Sequence, residues 1–62
     1  MELTETERQM LDLLKGRASD SRIRAELVLD QRRALEVADS LRSKLGAGPA
    51  ETIREAARRL GL

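Results

Sequence analysis

At 62 residues the chain has room for one domain, spanning 1–62, near the lower end of what folds alone; with no aromatic side chain, Leu, Ile, Val, Met and Ala must supply all the burial. The absence of cysteine and histidine excludes disulfides, thiolate chemistry and the usual zinc ligand sets, and removes the commonest general base. Net charge is only +1, and since residues 1–15 carry Glu2, Glu5, Glu7 and Asp12 against Arg8 and Lys15, the positive excess lies in residues 16–62.

The first element is predicted over 4–15. Thr4 and Glu7 form a T-x-x-E capping box, in which Thr4 caps the helix and Glu7 reaches back to the Thr4 N–H. Leu3, Met10, Leu11 and Leu14 draw its apolar stripe. Glu7 lies near that stripe and is read as a cap plus a salt bridge to another helix. Gly16 is the expected C-terminal residue.

A short second helix follows over 19–27, capped by Ser19 or Asp20 and carrying Ile23 and Leu27 inward. Arg17, Arg22 and Arg24 surround it, with Asp20 and Glu26 interleaved as local partners. Only Val28 and Leu29 then separate Leu27 from a new cap at Asp30. A connection so short and so apolar is expected to pack beneath the helices, giving an αα corner of the helix-turn-helix kind.

The third helix is predicted over 31–45. Ala34, Val37, Ala38, Leu41 and Leu45 make one stripe, and Gly46 supplies the left-handed residue that ends it. At 100° per residue the outer face is centred on Arg32, Glu36, Asp39 and Ser43. Arg32–Glu36 and Asp39–Arg42 have the spacing of helical ion pairs, whereas Arg33, Ser40 and Lys44 form a more purely polar and basic flank.

A last helix is predicted over 49–60, with Pro49 at its first turn. Its stripe is Ala50, Ile53, Ala56, Ala57 and Leu60, and its alanines let another helix approach closely, from the same chain or from a second one. The fold class is therefore all-α, a four-helix arrangement.

Taken together, these pieces resemble the LuxR/GerE-type helix-turn-helix domain over residues 3–62. The matching residues are Leu3-Thr4 with Glu7, Met10-Leu11 and Leu13-Leu14; Ser19-Asp20 with Ile23 and Leu27; Leu29 before the cap; Lys44-Leu45-Gly46; and Ala56 or Ala57 with Gly61-Leu62. The last helix-turn-helix of bacterial sigma factors has a similar pattern. The resemblance implies a third helix that enters the DNA major groove, a second that supports it, and a fourth that mediates dimer contacts. Arg33-Ala34-Leu35 stands where the family usually has Thr-Val-Lys, and Asp39 holds a position that is often basic or polar.

Two functions follow as expectations. The first is a DNA-binding transcriptional regulator, or the output domain of one, acting on double-stranded DNA. Arg32 and Arg33 would lie nearest the bases, Ser40 on the same flank, and Arg22, Arg42 and Lys44 on phosphates. The second is a protein-interaction module, an adaptor, anti-activator or dimerisation piece, on the same scaffold. Ala50, Ile53, Ala57, Leu60 and Leu35 would touch a second copy or a partner. An enzyme is not expected, since the carboxylates sit beside arginines on helix faces and so small a chain leaves little room for a pocket of ~300 Å³. No cofactor, metal, small-molecule substrate or membrane partner is implied. The lack of cysteine, of a ~20-residue apolar run and of a signal peptide points to the cytoplasm.

Overall fold

The computed structural model describes residues 2–62. Four helices account for its regular structure, α1 (Glu5–Lys15), α2 (Asp20–Leu27), α3 (Gln31–Leu45) and α4 (Ile53–Arg59), with no strand among the described residues. Each start is a side-chain cap. The Glu7 N–H donates to Thr4 Oγ1 (3.1 Å) while the Thr4 N–H donates to Glu7 Oε1 (2.8 Å), closing the expected box. The Arg22 N–H donates to Ser19 Oγ (3.2 Å) and the Arg33 N–H to Asp30 Oδ1 (2.7 Å), so Ser19 and Asp30 satisfy the orphan donors of α2 and α3.

The helix ends differ more from expectation. Gly46 has φ +67 and closes α3 as predicted, with the Ala47 N–H donating to the Arg42 carbonyl (3.0 Å). At the end of α1, however, Gly16 stays at φ −81 and Arg17 takes the left-handed conformation (φ 62). The helix ends at Lys15 with Gly16 as its cap, as predicted, but the chain reverses one residue later. The Gly16 N–H still bonds the Asp12 carbonyl, and the reversing bond, Ala18 N–H to Leu13 carbonyl, places Arg17 at the turn.

Val28 ends α2 in the same way at φ 54, with the Leu29 N–H donating to the Arg24 carbonyl (2.9 Å). The expected packing of this connection holds for Leu29, which is half-buried against the core, and fails for Val28, which is 89% exposed. A left-handed turn aims consecutive side chains apart, so one points in and the other out. A β-branched residue is poorly suited to this conformation, which costs roughly 1–2 kcal/mol for an L-residue. Val28→Gly is therefore expected to raise stability by about 1 kcal/mol, the relief being partly offset by glycine's extra freedom when unfolded. Thermal or urea unfolding checks this, and an unchanged midpoint would contradict it.

The last helix begins later than predicted, at Ile53 rather than Pro49. Pro49 and Ala50 instead form a turn closed by the Glu51 N–H on the Gly48 carbonyl (3.0 Å), with proline at the first inner position that such turns favour. Thr52 is the true cap. Its Oγ1 accepts from the Glu55 N–H (3.0 Å) and its own N–H donates to Glu55 Oε1 (2.8 Å), a second T-x-x-E box.

The core is Met10 and Leu11 from α1, Ile23 from α2, Val37, Leu41 and Leu45 from α3, and Ala56 and Ala57 from α4. Helix α1 packs against all three others, and α4 packs on both α1 and α3. The two alanines thus bring α4 close to helices of its own chain. Ala57, expected at a dimer or partner contact, is 1% exposed and belongs to this core. Ile53 is half-buried against the core, whereas Ala50 and Leu60 remain exposed.

Candidate nucleic-acid interface

The position of α3 is fixed by a polar cluster at the edge of the core centred on Glu7, which is itself 3% exposed. Glu7 Oε1 accepts from Lys44 Nζ (2.7 Å) as well as from the Thr4 N–H, and Oε2 accepts from Ser40 Oγ (2.5 Å). With these donors around it the carboxylate is strongly favoured. The Lys44 hydrogen bond first, then those of Ser40 and the Thr4 backbone, hold Glu7 down to about 2 from its ordinary 4.5, against the opposing effect of burial. Ser40 and Lys44 are one helical turn apart, so a single carboxylate on α1 grips α3 twice.

This cluster changes the reading of the α3 flank. Ser40 and Lys44 were expected beside Arg33 on a DNA-facing strip, but their polar atoms point at Glu7, because their side of α3 is the side that packs on α1. Arg42 is engaged too. Its Nη1 donates to the Glu51 carbonyl and its Nη2 to the Gly48 carbonyl, both at 2.8 Å, tying α3 to the segment that leads into α4. The Asp39–Arg42 pair suggested by spacing does not form, because those carbonyls give the guanidinium two fixed acceptors. Arg59 completes this corner with bonds to Glu51 Oε1 (3.0 Å), Glu51 Oε2 (3.1 Å) and the Gly46 carbonyl (3.3 Å). The Arg59 contact is also what lowers the Glu51 carboxyl below its usual value.

The outer face of α3 is left to solvent. Arg32, Arg33, Glu36, Asp39 and Ser43 are all exposed. Arg33, rather than Arg32, pairs with Glu36, at 3.3 Å. Arg32 and Asp39 make no ion pair among the described residues. Arg22, on α2, pairs with Glu26 at 2.9 Å. Solvent-exposed pairs such as these are worth ~0–1 kcal/mol, so Arg22 and Arg33 can exchange their carboxylates for phosphate or base acceptors at little cost. Lys44, Ser40 and Arg42 cannot do so without loosening the scaffold. Of the six side chains singled out for DNA, the fold thus leaves Arg22, Arg32 and Arg33 available at the surface.

Beside this face lies an open groove of about 340 Å³, lined by Ile23 of α2 and Ala34, Leu35 and Ala38 of α3, with Met10 and Leu14 of α1 and Ile53 of α4. Leu35 is 59% exposed at its edge. The small size of the chain had suggested no such space. Nothing in the helical periodicity reveals it, because its lining comes from all four helices. Among the described residues no group of three or more carboxylates gathers where a metal could be held, and no helix is long and apolar enough to cross a membrane. No family model matches the chain, and no curated protein or solved structure matches it.

Proposed function

We propose that this chain is a helix-turn-helix DNA-binding regulator, or the output domain of one, of the LuxR/GerE type, working in the cytoplasm with α3 in the major groove. The observation that carries the reading is the Glu7 cluster. Two of the segments that carry the resemblance, Thr4-x-x-Glu7 and Lys44-Leu45-Gly46, meet at 2.7 Å across 37 residues of chain. That contact fixes α3 by its inner side and C-terminal half, while the N-terminal end, with Arg32 and Arg33, stays exposed. Such an end is the part of a recognition helix that reaches base edges, with Arg22 on the backbone alongside. The exposed Ala50 and Leu60 flank α4 and, with exposed Leu35 on α3, are the side chains left for a dimer contact.

Titration of fluorescent duplexes across a salt series tests the proposal. The logarithm of the affinity should fall linearly with the logarithm of salt concentration, with a slope of about −0.9 per phosphate contacted. Arg32→Ala should weaken binding by about 1–3 kcal/mol if it reads a base, without altering the melting temperature. A wild-type chain that shifts no duplex at low salt would end this reading.

The apolar groove and Leu35 favour a second reading, a helical adaptor that binds a protein through the α2–α3 face. Leu35→Ser would then abolish capture of a protein partner while leaving the melting temperature unchanged.

A further inference from the structure

We infer that the DNA sequence read by this chain is rich in G·C pairs, with Arg32 set for guanine and Glu36 and Asp39 set for cytosine. This rests on the DNA-binding reading above and adds what the target must look like.

Two carboxylates and one guanidinium set the requirement. Glu36 and Asp39 are exposed at the centre of the outer face of α3, with Arg32 four residues before Glu36 and seven before Asp39. The three side chains form one row along the helix, spanning about 10 Å at 1.5 Å per residue. That length corresponds to about three base steps of 3.4 Å. In a groove-bound helix this row faces the base edges, while the phosphates line the rims.

A carboxylate offers only acceptors, so it is repelled by every base edge that presents one. Guanine shows two acceptors in the major groove, adenine pairs its donor with an N7 acceptor, and thymine shows an acceptor and a methyl group. Cytosine alone shows a donor, its N4 amino group, with no acceptor beside it. Arg32 has the opposite need. Its planar fork of donors fits guanine O6 and N7 together, and among the described residues no ion pair holds it back. The Arg33–Glu36 contact, at 3.3 Å between two exposed side chains, is weak enough to yield to a base. A row of one donor fork followed by two acceptors therefore selects guanine on one strand and cytosines further along the groove.

The test uses fluorescence anisotropy at low salt with two duplex pools of equal length, one whose central steps are mixed G·C pairs and one whose central steps are mixed A·T pairs. The wild type should bind the G·C pool at least about 10-fold more tightly, within the roughly 5- to 150-fold expected for a matched contact. The double variant Glu36→Gln, Asp39→Asn, both changes on the exposed surface, should gain affinity for the A·T pool and lose most of the preference. Equal binding of the two pools, preference for A·T, or an unchanged preference in the variant would overturn the inference while leaving DNA binding in place. Failure of the wild type to bind either pool would overturn the DNA-binding reading, and the inference with it.

Discussion

Replacing Glu7 by glutamine is expected to lower the melting temperature by at least about 5 °C near neutral pH and to flatten the acid limb of the stability curve. The glutamine oxygen can still accept from the Thr4 N–H, and its amide can donate to Ser40, so the cap and shape survive. The charge does not survive, and with it goes the attraction to Lys44 across 2.7 Å. The pH dependence follows from the direction of the shift. Glu7 titrates at about 2 in the fold against an ordinary 4.5, so the unfolded chain takes up its proton first as pH falls. The stabilisation is complete above about pH 4.5 and is lost as pH drops through 2. Glu51 and Glu55 are lowered as well, Glu51 chiefly by Arg59 and Glu55 chiefly by the Thr52 backbone, and they add to the same acid limb. Melting curves between pH 2 and pH 7 measure the effect. Wild type and Glu7→Gln should converge at the acid end, draw apart between about pH 2 and 4.5, and keep a constant gap above that. Parallel curves across that range would show that Glu7 does not hold α3 through its charge.

The helices themselves were legible because their signals are local. Thr4, Ser19 and Asp30 each stand directly before an apolar repeat, and Gly46 directly after one, so caps and stripes agree over α1 to α3. The start of α4 was misplaced because Pro49 suits both a first helical turn and the inner position of a tight turn, and Thr52-x-x-Glu55 carried the correct signal three residues later. Arg17 and Val28 were illegible for a related reason. The usual left-handed residue is glycine, and here hydrogen bonds back to Leu13 and Arg24 impose the conformation on residues that do not prefer it.

The candidate site was less legible than the fold, because it depends on contacts far apart in the chain. That Glu7 would bridge to another helix follows from its place beside the α1 stripe. That its partners are Ser40 and Lys44 follows only from how α1 lies on α3. Arg42 looked like an α3 surface charge with Asp39 in reach, yet the turn at Gly48–Glu51 offers it two carbonyls that no helical spacing rule anticipates. Long-range geometry thus engages three of the basic or polar candidates, Ser40, Arg42 and Lys44, in contacts within the fold. It leaves a shorter set, Arg22, Arg32 and Arg33, with Glu36 and Asp39 among them on the outer face.

Leu41→Ala is expected to leave the chain unfolded at room temperature, the largest single-residue effect in this domain. Leu41 is 0% exposed and sits on the inner face of α3, in the same cluster as Met10, Leu45, Ala56 and Ala57. Truncating a buried leucine costs about 2–5 kcal/mol, the spread reflecting how far the surroundings collapse. Collapse is limited here, because two of the neighbours are alanines and Met10 alone combines length with flexibility. A core of this size rarely leaves more than about 3–5 kcal/mol in total, so the loss is comparable to the whole. Far-UV circular dichroism should show little helix and no cooperative melt, while Leu41→Met, which conserves volume, should stay folded at a cost under about 1.5 kcal/mol. A cooperative melt of Leu41→Ala close to that of the wild type would mean that the core repacks. The contrast with Arg32→Ala separates scaffold from surface. On the proposed DNA-binding reading both variants would lose affinity, but only the change at position 41 would do so by unfolding α3, and only the change at position 32 would leave the dichroism untouched.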